Sequence, residues 1–347
     1  MYCAKNGNTV VRNPFSFNEN AHMLYVDQPN QVGFSYEEIV DGVFDALGGG
    51  SGAISTTDLE TSLTKIKGKF PSHDLGATVG TSTMAAKNMW YFLQVFFTDF
   101  GVPYGETLAS YTIRTNQTFP VQPGAILRRI TVPSLYNKTT YDAVVATATA
   151  PNGCLDQVRQ CRAAKALDDP SDEGLDPRVG EICYYATLTC QNDVLLPYFT
   201  EPKNPRSGYD IGLPQAQPWP PKYAASYLNN PRIRASLGIP GGLNYLLFAT
   251  VVNNAFIMTD DPVRDGRADL TYLLNAGTRV AMIYGDGDWQ CNWLGAENLT
   301  LSLPWTPTSC RRFNSSGYVE LNLNSYNTGA ATAVTRQHIL LSFTRGF

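Results

Sequence analysis

Two acidic residues that follow an apolar run are the strongest candidates for chemistry in this sequence. Asp286 and Asp288 come just after residues 279–284, whose apolar side chains predict a buried strand. A carboxylate at the tip of such a strand could orient a histidine and stabilise its cation, as the acid of a Ser-His-Asp triad does. Two alternatives remain open. Asp288 could be a loop carboxylate bonded to nearby backbone amides, or the two aspartates could hold a divalent metal, as in many nucleotide-sugar transferases.

A triad also needs a serine nucleophile, and the sequence offers three weak candidates. Acyl-transfer enzymes place this serine on a strained strand-to-helix turn, usually written G-x-S-x-G, beside an oxyanion hole. Ser51 lies in the glycine-rich residues 48–52, where no strand precedes it and no helix follows, so we interpret this stretch as a linker. Helix capping accounts for Ser82, and Ser110 lies within a predicted helix. None of the three is therefore predicted to be a nucleophile.

The chain has 3 histidines, so few side chains could act as the base of a triad. His22, His73 and His338 form no cluster with metal-ligand spacing, and we predict a structural role for each. Cys291 lies three residues after Asp288 and could be a reactive thiol. A buried cysteine that lines a pocket is the favoured interpretation, because no histidine is adjacent in sequence.

The elements that must position the acidic turn can be read from the flanking pattern. Asp269 is the predicted N-cap of a helix with a leucine-rich face, and residues 279–284 follow it as a strand of the buried, parallel type. Open α/β sheets place functional groups at the carboxyl ends of such strands. Further towards the amino terminus, residues 23–26 predict a buried strand. Residues 83–97 predict a helix that Thr81 or Ser82 caps and whose apolar face covers a sheet.

Four of the 7 cysteines repeat one spacing in a proline-rich segment. Cys154 and Cys161 are seven residues apart, which places them on one helix face, and Cys183 and Cys190 repeat that spacing. An antiparallel hairpin of two helices would pair Cys154 with Cys190 and Cys161 with Cys183. A zinc site is the alternative, but structural zinc ligands usually lie two to four residues apart. We therefore predict two disulfides.

Composition excludes several classes of function. With 347 residues, 43% of them hydrophobic, the chain can form one large α/β domain with an insertion, or two domains. A net charge of −4 without runs of like charge predicts no basic surface of the kind that binds nucleic acid. No apolar stretch is long enough to span a membrane, and residues 1–10 are too polar for a signal peptide. We expect no nucleic-acid, membrane or metal partner and no cofactor.

The glycosylation sequons indicate the secretory pathway, whereas the polar residues 1–10 do not resemble the signal peptide that such a protein would need. Four Asn-x-Ser/Thr sequons, together with predicted disulfides, suit a protein of the secretory pathway. One resolution of this conflict is that the true amino terminus is missing. The four sequon asparagines are Asn116, Asn137, Asn298 and Asn314.

Several segments, in order along the chain, resemble the fungal serine carboxypeptidases, a family with the α/β-hydrolase fold. Residues 284–295 are similar to the family's acid-bearing motif, and residues 336–345 to its last segment before the catalytic histidine. Residues 13–18, 27–29 and 32–36 resemble its early strand and the loop that follows. Residues 227–231 and 235–238, with the nested cysteine pairs, complete the resemblance.

The resemblance implies a fold, a site and a substrate class. It implies an α/β-hydrolase-type, mostly parallel sheet flanked by helices, with residues 1–132 and 251–347 as the core and residues 133–250 as an inserted helical lid that carries the disulfides. Asp288 would be the triad acid, and Cys291 would line the pocket for the substrate side chain before the scissile bond. Substrates would be the C-termini of peptides or proteins, and the location would be secreted or vacuolar.

Departures from the family pattern predict an incomplete active site. The family's G-E-S-Y elbow belongs between a helix that ends near Phe100 and residues 108–111, but only residues 101–107 fill that interval. The glycine-rich oxyanion segment would precede Met1 and the catalytic histidine would follow Phe347. We expect an inactive homologue whose sheet lacks a central strand. The alternatives are an active exopeptidase whose sequence is truncated here, and a non-catalytic peptide-binding protein.

Overall fold

A computed structural model describes eleven stretches of the chain, which fall into two compact units. The first unit comprises Met1–Thr112, Ser171–Gly180 and Pro218–Asp261, and the second comprises Ile113–Pro170, Glu181–Gln217 and Pro262–Phe347. Within these bounds the structure describes residues 2–4, 6–12, 23–45, 54–57, 60–62, 65–100, 137–200, 205–214, 223–246, 249–321 and 333–346.

The described helices vary from five to nineteen residues in length. A π-helical turn, Gln191–Leu195, joins α4 to α5. In chain order the helices are α1 (Ser82–Phe100), α2 (Lys138–Thr149), α3 (Cys154–Asp168), α4 (Pro177–Cys190), α5 (Leu196–Thr200), α6 (Tyr223–Leu228), α7 (Pro231–Ser236), α8 (Thr250–Met258), α9 (Arg267–Asn275), α10 (Trp293–Leu301) and α11 (Pro307–Ser315).

Antiparallel strands form the sheets of the first unit. Strands β1 (Tyr2–Cys3) and β2 (Val10–Val11) make a short ribbon. Strands β3 (Ile39–Asp45), β4 (Ile54–Ser55) and β5 (Lys65–Pro71) form a sheet of order β4-β3-β5, in which β3 and β5 pair along their whole length.

Helix α1 begins where the sequence predicts. The Thr81 hydroxyl accepts a hydrogen bond from the backbone N–H of Met84 at 3.2 Å, which satisfies one of the free donors of the first turn. The Ser82 hydroxyl donates to the Asp261 carboxylate at 2.8 Å, so this serine is engaged with a neighbouring acid. Thr81 is therefore the capping residue, and the prediction that capping accounts for the Ser82 hydroxyl is wrong, because that hydroxyl bonds to Asp261 instead.

A mixed sheet is the centre of the second unit. Strand β6 (Val280–Gly285) pairs in parallel with β9 (Leu341–Gly346), and β9 pairs antiparallel with β8 (Ala333–His338), which pairs with β7 (Val319–Leu321). Alternate residues point to opposite faces of a strand. On β6 and β9 the alternation buries Met282 and Phe343 in a cluster with residues of α9, α10 and α11.

The opposite face of this sheet is open at β6. Ile283 has 73% of its surface exposed, although the sequence predicts a strand that is buried throughout. Strand β6 is also an edge strand of this sheet, whose strand order is β6-β9-β8-β7. A parallel strand is ordinarily covered on both faces, so the exposure of Ile283 departs from the buried strand that the sequence predicts.

The cysteine pairing predicted from sequence is confirmed. Cys154 is bonded to Cys190 with a Cα–Cα distance of 4.8 Å, and Cys161 is bonded to Cys183 with a Cα–Cα distance of 4.7 Å. All four residues are buried on the facing helices α3 and α4. The nested order follows from two helices that run in opposite directions with the same seven-residue spacing.

Two local predictions are wrong. Residues 23–26 form no strand, and Tyr25 is 73% exposed; four apolar residues without a neighbouring strand leave backbone groups that no ladder satisfies. Asp269 does not cap α9, because Asp265 accepts the backbone N–H of Arg267 at 3.0 Å and the helix begins two residues before Asp269.

Several predictions fall on residues outside the described ranges. These are the linker at 48–52 with Ser51, the loss of a central strand near residues 101–107, and the residues His22, Ser110 and Asn116. The division into a core and a lid, at residues 133 and 250, also stays a prediction.

Candidate functional site

The acidic turn joins a strand to a helix in the second unit. Strand β6 ends at Gly285 and α10 begins at Trp293. The Asn292 side chain caps α10 by accepting the backbone N–H of Gly295 at 2.8 Å. The seven intervening residues therefore lie between the carboxyl end of a strand and the amino end of a helix, where sequence analysis places them.

The Asp288 carboxylate is turned towards its own backbone. Its Oδ1 atom accepts the N–H of Cys291 at 2.7 Å. Burial raises the pKa of Asp288 above its ordinary value of 3.8, and the negative charge of Asp210 acts in the same direction, while hydrogen bonds from the backbone of Cys291 and Gln290 oppose the rise. The observed geometry matches the loop-carboxylate alternative, and the triad role of Asp288 stays a prediction.

Asp286 forms a buried ion pair with Arg345. This aspartate is 4% exposed and forms an ion pair with Nε of Arg345, and its backbone N–H donates to the carbonyl of Gly346 at 2.8 Å. The Arg345 guanidinium also lies over the Trp293 ring, 3.8 Å from its centroid. Because Asp286 is committed to a guanidinium, this pairing argues against the alternative in which both aspartates hold a metal.

An aromatic stack and a neighbouring loop hold the turn in position. Trp289 is fully buried and stacks on Tyr198 of α5, with ring centroids 3.8 Å apart. The Tyr198 hydroxyl donates to the carbonyl of Ser207 at 2.8 Å, and burial raises the pKa of this phenol. Backbone hydrogen bonds from Gln290 to Gly208 and from Ile211 to Gly287, each 2.9 Å, complete the attachment.

Sequence reasoning did not identify this support. Tyr198 lies 91 positions before Trp289 and carries no motif, and the loop at residues 207–211 has no regular pattern. The one available signal is the position of Trp289 next to Asp288, since a large aromatic residue in a polar turn needs a buried contact. Its partner could not be read from spacing.

Of the remaining candidates, Cys291 lies within the turn and the two described histidines lie outside it. Cys291 is partly buried and outside the two disulfides. His338 lies on β8 with its ring centroid 6.4 Å from that of Trp305, and no hydrogen bond joins it to Asp288 in the described part of this unit. His73 belongs to the first unit, where burial lowers the pKa of its imidazole. The described residues contain no group of three or more His, Cys, Asp or Glu placed to hold a metal ion.

Three sequon asparagines lie in described helices or at their ends. Asn137 caps α2 by accepting the backbone N–H of Thr140 at 2.8 Å. Asn298 lies on α10 and Asn314 on α11, and all three asparagines are exposed.

Comparison with known proteins identifies the class to which this chain belongs. Residues 1–103 and 124–343 match the serine carboxypeptidase family, Peptidase_S10. The chain belongs to the serine carboxypeptidase family, which confirms the resemblance found in the sequence motifs. The predicted α/β class, of the α/β-hydrolase type, agrees with this membership and with the mixed sheet and its flanking helices.

Two similar curated relatives come from one fungus. Carboxypeptidase S1 homolog A of Arthroderma benhamiae is 29% identical over 98% of this chain and 59% of its own length. Carboxypeptidase Y homolog of the same organism is 29% identical over 99% of this chain and 62% of its own length. The chain therefore spans about three fifths of these curated relatives.

A solved structure is also similar. The prohormone-processing carboxypeptidase Kex1(delta)p of Saccharomyces cerevisiae has 14% sequence identity and a TM-score of 0.48, over 92% of this chain and 68% of the yeast protein. Among the described helices, none combines the length and the apolar character required to cross a bilayer.

Proposed function

We propose that this chain is a non-catalytic member of the serine carboxypeptidase family that has lost the segment carrying the nucleophile. The gap in the family match is the observation that carries the proposal, because the match stops at residue 103 and resumes at residue 124. The missing G-E-S-Y elbow is expected in the same interval, between the end of α1 and residues 108–111.

The alignment with the relatives supports an internal loss. The alignment with Carboxypeptidase S1 homolog A extends over 398 positions, whereas this chain has 347 residues. An alignment longer than the chain requires gaps in the chain, so the relative has internal segments that have no counterpart here.

The chemistry of the remaining site is consistent with lost activity. In this proposal Asp288 corresponds to the family's triad acid and Cys291 to the residue that lines the substrate side-chain pocket. A carboxylate alone supplies neither an attacking oxygen nor a proton shuttle. In one well-studied serine protease, loss of the serine nucleophile lowers kcat about 2 × 10⁶-fold.

Location and ligand class follow from the same proposal. Two buried disulfides and three exposed sequon asparagines support a secreted or vacuolar glycoprotein. Peptide or protein C-termini remain the ligands that the family implies. We also propose that residues 133–250 form a lid over a core made of residues 1–132 and 251–347.

Activity on blocked dipeptides tests the proposal directly. We expect purified protein to release no C-terminal residue at acidic or neutral pH, and a serine-directed fluorophosphonate to label no single site, because the elbow that would carry an activated serine is missing from the sequence pattern. Asp288→Asn is the matched control. Turnover that this variant abolishes, or stoichiometric labelling of one serine, would show that the site is catalytic.

Two further measurements separate the alternatives. Sequencing of the transcript tests for an active exopeptidase with omitted segments, because added residues between 101 and 124 would restore the elbow. Saturable binding of peptides with a free C-terminal carboxylate, without turnover, would favour the non-catalytic peptide-binding protein.

A further inference from the structure

A surface cleft in the second unit lies next to one of the sequons. The cleft encloses about 670 Å³ between the end of α9, residues 304–306 and helix α11. Its lining includes Trp305, Cys310, Arg311, Asn314 and Asn275. It is separate from the acidic turn, whose residues do not line it.

The lining combines an apolar floor with polar groups at its walls. Trp305 is 4% exposed and packs in the core cluster below the cleft. The Arg311 guanidinium has no ion-pair partner among the residues that the structure describes, and Asn275 adds an exposed amide. Such a lining suits a ligand with an apolar face and several neutral hydrogen-bonding groups.

Asn314 is both a wall of this cleft and a sequon asparagine. Its Nδ2 atom donates to the carbonyl of Leu301 at 3.2 Å and lies 4.0 Å from Sγ of Cys310. A glycosylated asparagine keeps one N–H, so the bond to Leu301 can persist after the modification. Asn137 and Asn298, the other two described sequon asparagines, do not line the cleft.

We propose that the glycan attached to Asn314 folds into this cleft and covers Cys310. The first sugar, N-acetylglucosamine, offers C–H groups to the apolar floor and an acetamide to the guanidinium and amide of the walls. The covalent link holds the sugar at a high local concentration, so weak contacts suffice to seat it. This inference rests on the secretory glycosylation proposed above.

Alkylation of Cys310 tests the proposal on protein secreted from a eukaryotic host. We expect maleimide to modify Cys310 about tenfold or more slowly in the glycosylated protein than in Ser316→Ala, which breaks the sequon but keeps Asn314, because thiol reactivity follows exposure. Asn314→Gln should behave like Ser316→Ala. Ser315→Ala keeps the sequon and should behave like the unaltered protein, and Cys291 provides a reference rate within each sample.

Native endoglycosidase treatment gives an independent measurement. The glycan at Asn314 should resist release while the glycan at Asn137 is removed, and both should be released after denaturation. Equal alkylation rates with and without an occupied Asn314 would overturn the seating of the glycan. Mass spectrometry that finds Asn314 unmodified would overturn both the seating of the glycan and the glycosylation of Asn314 itself. Neither outcome bears on the proposed loss of peptidase activity, which the dipeptide assay tests separately.

Discussion

The folded environment of Asp288 raises the pKa of its carboxyl group. Burial and the nearby Asp210 raise its pKa, and the two backbone hydrogen bonds only partly oppose them.

The raised pKa predicts how stability depends on pH. A group whose folded pKa lies above its unfolded value of 3.8 contributes stability that is complete below that value and is lost as the pH rises through the folded pKa. We expect the free energy of unfolding to carry a falling component from Asp288 as the pH rises from about 4 towards neutrality.

Chemical unfolding of Asp288→Asn beside the unaltered protein measures this component. The amide does not titrate, so the difference in unfolding free energy between the two proteins should change with pH in the direction given above. A difference that is constant from pH 3 to pH 7 would contradict the raised pKa, and Asp210→Asn should reduce the effect without removing it.

At the scale of the elements, the disulfide hairpin supports the acidic turn through a continuous helical path. Cys190 is the last residue of α4, and the π-helical turn leads from it directly into α5, which carries Tyr198. The Cys154–Cys190 disulfide therefore fixes the point from which α5 projects, whereas Cys161–Cys183 joins the middles of the two helices.

Loss of one disulfide should loosen the turn more than loss of the other. In Cys154→Ser/Cys190→Ser we expect the amide of Gln290, which donates to Gly208, to exchange its hydrogen about tenfold faster or more, because local opening becomes less costly. Hydrogen exchange read by mass spectrometry measures this. Cys161→Ser/Cys183→Ser is the matched control, and equal acceleration in both variants would show that the helical path does not matter.

Helix α1 exposes large apolar side chains both on and beside its predicted apolar face. On that face Ala85 and Leu93 are buried but Phe92 is 40% exposed, and Trp90 and Val95, which lie outside it, are 56% and 61% exposed. Each large apolar side chain left in water forfeits about 1.5–3 kcal/mol. Net stabilities are only about 5–15 kcal/mol, so this loss is considerable.

For the whole molecule, exposed apolar surface predicts poor solubility. Helix α1 and the open face of β6 both present large side chains to solvent, and such patches promote association. We expect bacterial expression to give mainly insoluble or molten protein. A soluble monomer with one sharp, reversible thermal transition would show that the chain covers these surfaces in solution.

Charged substitutions on α1 test the cause. We expect Trp90→Lys and Val95→Lys together to increase the soluble fraction severalfold, because both side chains already face water. Leu93→Lys, on the buried side of the same helix, should abolish soluble protein. The yield of soluble protein after centrifugation measures both effects, and no gain from the exposed pair would assign the insolubility to another surface.

Local pattern was sufficient for several features of this protein. The repeated seven-residue spacing specified the nested disulfides, because helix periodicity places such residues on one face. The apolar run before Asp288 specified β6 and the turn that follows it, and Thr81 marked the start of α1. The family motifs identified the class of protein. Each of these signals depends on residues that are neighbours in sequence.

Only the tertiary structure decided which distant groups meet. Asp286 pairs with Arg345, 59 positions away, and Trp289 stacks on Tyr198, and neither contact has a sequence signal. Residues 23–25 and Ile283 are apolar, yet they are exposed, because burial depends on whether another element is present to cover a face. The hydrophobic pattern predicts which face of an element could be buried. Packing between elements that are distant in sequence determines which face is buried in the folded protein.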